Sequence, residues 1–205
     1  MPLIHKFRNE LIDIEENQNF CGEKIKQKSN ILIIGTFNPD NQSCVGQNNA
    51  SWFYGRNQSK FWRYFPNALT GNSLHPNDGI ENVPEVWKSY CLKNGIVIID
   101  LIKTINKAEI LENFSDREVE HRISEDLSNT DYFDVKKAFK NINFERVVYS
   151  LRWTDNQIQK MRRIKNLVNQ ELIEIGSIQN LNQIKYCNTP SRNDAQNSWN
   201  EGVNG

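Results

Sequence analysis

NILIIGTFNPD, residues 30–40, is the stretch that decides the fold. Ile31, Leu32, Ile33 and Ile34 follow one another without a polar interruption, and such a strand suits a sheet covered on both faces. Gly35 ends the run and lets the backbone turn close to a ligand. Open α/β sheets bind their ligands at the carboxyl ends of such strands, so the loop of Thr36, Phe37, Asn38, Pro39 and Asp40 is the first candidate site.

Downstream, residues 38–51 are rich in Asn, Gln, Ser and Gly and read as an irregular loop. This loop delivers the aromatic block WFYGRNQSKFW, residues 52–62. Within it Phe53 and Tyr54 offer faces on which a planar ring can stack, Gly55 permits close approach, and Arg56 and Lys60 carry charge suited to phosphate. A strand-end loop coupled to an aromatic, basic block points to nucleobases.

Elsewhere the chain alternates between helix and strand patterns. An amphipathic helix is predicted over residues 7–16, with Phe7, Leu11 and Ile14 on one side. Asn82 and Pro84 mark a helix start and Asn94 with Gly95 its stop; residues 96–101 are then the second strand. Helices are expected at 117–127 and 132–139, and a third strand at 146–150. A capping box at Thr154 and Gln157 opens a helix whose apolar face is Ile158, Met161, Ile164, Leu167 and Val168. Residues 172–175 and 184–187 are short strand candidates. This alternation predicts an α/β fold, a three-layer α/β/α sandwich with a short, mainly parallel central sheet of about four strands.

A chain of 205 residues is expected to form one domain. Five Trp, ten Phe and six Tyr supply a packed core. No apolar run approaches the length of a membrane span, and the N-terminal residues lack the apolar centre of a signal peptide, so a cytoplasmic protein with no membrane partner is expected. Cys21, Cys44, Cys91 and Cys187 are widely spaced and His5, His75 and His121 are the only histidines, a composition that predicts neither a metal site nor a disulfide framework. Net charge is zero, which argues against binding by bulk electrostatics, yet basic residues predominate from Lys136 to Lys165 and form a candidate phosphate-facing side.

GTFNPD followed by FYGRNQSKFW resembles the first motif of the uracil-DNA glycosylase superfamily, nearest the branch of mismatch-specific and hypoxanthine-DNA glycosylases. Residues 95–100, GIVIID, resemble that family's second strand with its terminal Asp, and Thr189-Pro190-Ser191 its late loop. The resemblance spans residues 30 to about 195. It implies a single glycosylase-like domain over 1–205, a partner in DNA carrying a damaged or deaminated base, no cofactor, and hydrolysis of the N-glycosidic bond.

On that pattern Tyr54 takes the stacking position, and Gly35, Thr36, Phe37, Gly55, Asn57 and Thr189 join it around the substrate. The loop after Gly35 is one residue longer than in many members, so the water-activating position falls on Asn38 when anchored on Pro39 and on Phe37 when anchored on Gly35. Asp40 is the carboxylate of the same loop and the stronger base. Ser59 stands where the family carries Asn, with Asn57 two residues earlier, and Thr189 stands where classical uracil enzymes carry His. Ser191 and Arg192, with Arg56 and Lys60, are the expected phosphate contacts. Asp100 is given a structural role, accepting backbone N–H groups. The departures at Ser59 and Thr189 keep open a second class of function, a catalytically silent member that binds a nucleobase, nucleotide or damaged DNA.

Overall fold

A computed structural model describes residues 1–56, 58–151, 158–190 and 195–204. In chain order the elements are β1 (Leu3–Ile4), α1 (Arg8–Asn17), β2 (Asn19–Phe20), β3 (Glu23–Lys24), β4 (Lys28–Gly35), α2 (Phe61–Thr70), α3 (Glu85–Asn94), β5 (Ile96–Asp100) and β6 (Ile102–Ile105). There follow α4 (Asp116–Arg122), β7 (Thr130–Tyr132), α5 (Val135–Ala138), β8 (Asn143–Tyr149), α6 (Gln159–Glu174), β9 (Ile184–Tyr186) and α7 (Ala195–Asn204).

The central sheet has the order β5-β4-β8-β9 and is parallel throughout. Its apolar strand β4 lies between β5 and β8, which explains why residues 31–34 are all buried: neighbours flank both edges and helices cover both faces. The register pairs Ile31 with Ile96 and continues to Gly35 with Asp100. The helices form two packed groups, α2 with α7 and, through the parallel Trp62–Trp87 ring pair, α3; and α1 with α5, which contacts α6 and through it α4. The result is the expected α/β/α sandwich. A break in strand order at β4, with β5 on one side and β8 on the other, opens a crevice at the carboxyl edge.

Two smaller sheets were not legible in the sequence. β1, β6 and β7 form an antiparallel sheet, and β2 and β3 a hairpin. β1 is only two residues long, too short for a periodic signal, but it continues into a clamp on the loop after β4. The His5 N–H donates to Lys103 O, Lys6 N–H to Asn38 O and Asp40 N–H to Ile4 O, while the Ser43 hydroxyl accepts from Ile4 N. The N-terminal segment therefore lies between β6 and the candidate loop and fixes it in place.

Other expectations need correction. Residues 172–175 are not a strand; α6 runs to Glu174, and Leu172 is buried on its inner face. Leu167, expected in that helix's apolar stripe, is exposed. Tyr132 ends β7 instead of opening a helix, and α5 covers only Val135–Ala138. Thr154 and Gln157 lie outside the described residues. Within the basic segment, Lys136 pairs with Glu174 at 2.7 Å, Lys137 approaches Glu16 and Lys160 approaches Glu125, each at 3.7 Å.

Among the described residues no helix is long and apolar enough to cross a membrane. All four cysteines are free thiols, three of them buried.

β6 is tied to α1 by a buried ion pair. Lys103 Nζ donates to both Glu15 oxygens at 2.7 and 2.8 Å, and Glu15 also accepts the Asp134 N–H. Removing one partner leaves a buried charge without its counter-charge, so Lys103→Ala is expected to cost about 3–5 kcal/mol in urea unfolding. Replacing the pair together by Met at both positions is expected to recover most of that loss.

Candidate functional site

The carboxyl ends of the four central strands surround one large cavity of about 660 Å³. Each strand contributes to it: β4 through Thr36, Phe37 and Asn38, β5 through Asp100, β8 through Ser150 and Leu151, and β9 through Thr189 and Pro190. The loop before α2 adds Tyr54, Arg56, Gln58 and Ser59, and the segment before α4 adds Phe114 and Asp116.

Gly35 explains how so much polar chemistry converges. It pairs with Asp100 across the β4–β5 ladder. A Cβ at position 35 would lie 1.9 Å from Asp100 Oδ1 and 2.7 Å from the Tyr54 hydroxyl. Only a residue without a side chain leaves room for both groups.

Asp100 is 5% exposed and its Oδ2 lies 2.7 Å from His5 Nε2. The other His5 nitrogen, Nδ1, accepts the Phe7 N–H at 3.0 Å. This places the ring proton on Nε2, where it is donated to Asp100, so the pair needs no charged imidazole. The Asp100 side chain thus faces the cavity and a buried histidine, a correction to its expected bonding with backbone N–H groups. His5 carried no signal in the sequence, because a lone His in a short N-terminal strand has no motif around it.

Tyr54 lines the cavity. Its ring stacks on Phe61 with centroids 4.1 Å apart and planes 16° off parallel, and its hydroxyl donates to Ser150 Oγ at 2.8 Å. The backbone here has φ +56°, unusual for a residue with a side chain and costing on the order of 1–3 kcal/mol. Burial, and then the negative charge of Asp100, hold the phenol well above its ordinary pKa, so it remains a neutral donor. Gly55 has a different purpose from the one expected. A Cβ there would strike the Trp87 ring at 2.8 Å, so its small size serves core packing.

Arg56 lies inside the cavity, with its guanidinium 4.8 Å above the Phe114 ring. Burial lowers its pKa, and the charges of Asp100 and Asp116 oppose that shift. Its neighbouring charges are the carboxylates of Asp100 and Asp116.

Asp116 was not anticipated. It opens α4, its Oδ1 accepts the Thr36 hydroxyl at 2.5 Å, and burial raises its pKa above the usual carboxylate value; Thr36 and Arg56 lower it and Asp100 raises it further. The segment that carries it is pinned to the loop after β4 by the parallel bridge of Cys44 with Leu111 and by two backbone bonds, Val45 N to Leu111 O and Leu111 N to Ser43 O. An Asp in the first turn of a helix is an ordinary end-stabilising residue, so its sequence position gave no hint of a pocket.

Asn38 is buried and lines the cavity, and its Oδ1 accepts from Asn48 Nδ2 at 2.6 Å. Phe37 also lines it, edge-on to His5 at 5.8 Å. Asp40 turns away from the cavity: Oδ1 accepts the N–H groups of Gln42 and Ser43 and closes a turn. Ser59 lines the cavity while its hydroxyl accepts the Phe61 N–H at 3.4 Å at the start of α2. Lys60 sits at the cap of α2 and is not among the cavity residues. Asn57, Ser191 and Arg192 lie outside the described residues.

Gly35→Ala must push Asp100 or Tyr54 aside. The expected outcome is a loss of about 1–3 kcal/mol in thermal or urea unfolding, with Gly55→Ala losing stability by a separate route, through Trp87. Comparison of the chain with protein-family models, with curated proteins and with solved structures found no significant match, so the chemistry of the cavity is carried by its geometry.

Proposed function

We propose that this protein is a DNA glycosylase that removes a deaminated base by hydrolysing its N-glycosidic bond. The observation that carries the reading is the pairing of an aromatic wall, Tyr54 backed by Phe61, with an acceptor-only carboxylate, Asp100, at the strand ends of one cavity. A flipped base needs a ring to stack on and a group that reads its edge. Deamination changes that edge in a defined way: a ring nitrogen that accepts in cytosine or adenine becomes an N–H donor in uracil or hypoxanthine. A carboxylate accepts from the deaminated edge and repels the lone pair of the normal one. Tyr54, held neutral, and Thr189 supply hydroxyl groups in the same cavity.

Asn38 suits a role in orienting the attacking water, since its amide is fixed by Asn48 within the cavity wall. It orients without accepting a proton. The motif resemblance at residues 35–40 and 52–62 supports the same reading independently of the cavity.

A second reading is favoured by Ser59. Its hydroxyl is engaged with the start of α2 and its carbonyl with His75 Nε2 at 3.1 Å, so it does not replace the longer Asn of the motif. Under that reading the protein binds a deaminated base without cutting it.

The test is alkaline cleavage of labelled oligonucleotides carrying uracil, hypoxanthine, xanthine or mismatched thymine, in single and double strands, with binding measured beside it. Cleavage of a deaminated base is the expected result; binding without cleavage selects the second reading, and neither binding nor cleavage removes both. Tyr54→Ala is expected to weaken binding by about 1–3 kcal/mol at fixed salt. Asp100→Asn, whose amide both donates and accepts, is expected to shrink the preference for deaminated over normal base by roughly tenfold or more, as loss of a charged hydrogen bond of about 1.5–3 kcal/mol requires. Asn38→Ala is expected to lower the single-turnover rate much more than DNA affinity.

A further inference from the structure

Resting on the glycosylase reading, we infer that Asp116 is the general base that activates the hydrolytic water. Among the described residues the cavity is lined by two carboxylates, and their surroundings separate their roles. Asp100 is 5% exposed and held through Oδ2 by His5, and its Oδ1, beside Gly35, is the atom that the reading above assigns to the base edge. Asp116 is braced through Oδ1 by the Thr36 hydroxyl, and among the described residues Oδ2 makes no hydrogen bond. One oxygen is fixed and the other is open to a water in the cavity. That is the arrangement a base needs, because orientation comes from one atom and proton acceptance from the other.

The groups that face Asp116 suit the same role. Thr36 comes from the end of β4, Arg56 from the aromatic block, Asp100 from the end of β5 and the Tyr54 phenol from the loop before α2. Burial and the Asp100 charge raise the proton affinity of Asp116, and Thr36 with Arg56 restrain the rise. A carboxylate of raised proton affinity is a stronger base than a solvated one.

In the step itself, water gives a proton to Asp116 and its oxygen bonds to the anomeric carbon of the sugar. The carbon–nitrogen bond breaks and its electron pair leaves with the base, which recovers the proton. Water is divided between the sugar hydroxyl and the released base, and the carboxylate is restored.

The test is single-turnover cleavage of the best substrate of the panel as a function of pH, for wild type, Asp116→Asn and Thr36→Val, with DNA affinity and thermal melting measured in parallel. Asp116→Asn is expected to slow cleavage at least ~100-fold while changing affinity less than about threefold. In wild type the rate should fall on the acid side through the pKa of Asp116, above the ordinary carboxylate range. Thr36→Val removes a donor to the carboxylate, so this acid limb should move to higher pH. A merely structural Thr36 would lower the whole profile without moving it. If Asp116→Asn fails to fold, the Thr36→Val limb decides. Equal cleavage by Asp116→Asn and wild type, or an unmoved limb in Thr36→Val, overturns the assignment and leaves the glycosylase reading standing; a wild type that cleaves nothing at any pH overturns both.

Discussion

The structure turns on the close approach of Asp100 to Gly35. Parallel register brings the last residue of β5 beside the last residue of β4, and the missing side chain at position 35 lets a carboxylate settle over the sheet end. A buried carboxylate is costly unless donors satisfy it. His5 is such a donor, and it reaches Asp100 only because the N-terminal strand pairs with β6 on one side and with the loop after β4 on the other. One glycine therefore requires one histidine, and the histidine requires the small second sheet. The same clamp holds Asn38 at the cavity through its backbone bond with Lys6.

A second constraint comes from the aromatic block. Trp52 stacks with Trp62, Trp62 with Trp87, and Phe61 meets Trp199 edge-on, so four tryptophans from the 52–62 block, α3 and α7 form one rigid wall. Such ring pairs contribute about 0.5–1.5 kcal/mol each beyond their burial. That wall offsets the positive φ at Tyr54 and presents its ring to the cavity. The stacking surface is stiff because it is the outer layer of a core.

Much of this was legible in the residues. The apolar run at 31–34 suits a covered parallel strand and forms one, and the loop after its glycine lines the cavity. Gly95 closed α3 in the left-handed conformation, φ +64°, as the helix stop at 94–95 required. The long-range pairings were hidden. Nothing local distinguishes His5 from any surface histidine, and its importance arises from a contact 95 residues distant. Asp116 was masked by its ordinary place at a helix start, and it enters the cavity through the bridge between Cys44 and Leu111. In the basic run at 136–165, Lys136, Lys137 and Lys160 meet counter-charges, Glu174, Glu16 and Glu125, that lie elsewhere in the fold. Composition counts charges, and only the fold pairs them.

Charge inside the cavity bears on the same groups. Among the described residues Asp100 and Asp116 face Arg56, and the pKa of Asp116 is raised first by burial, with the Asp100 charge adding to the rise. Arg56 is drawn to both carboxylates and lies over the Phe114 ring. On the reading proposed above, the group that enters is a neutral ring that stacks on Tyr54 and presents an N–H to Asp100.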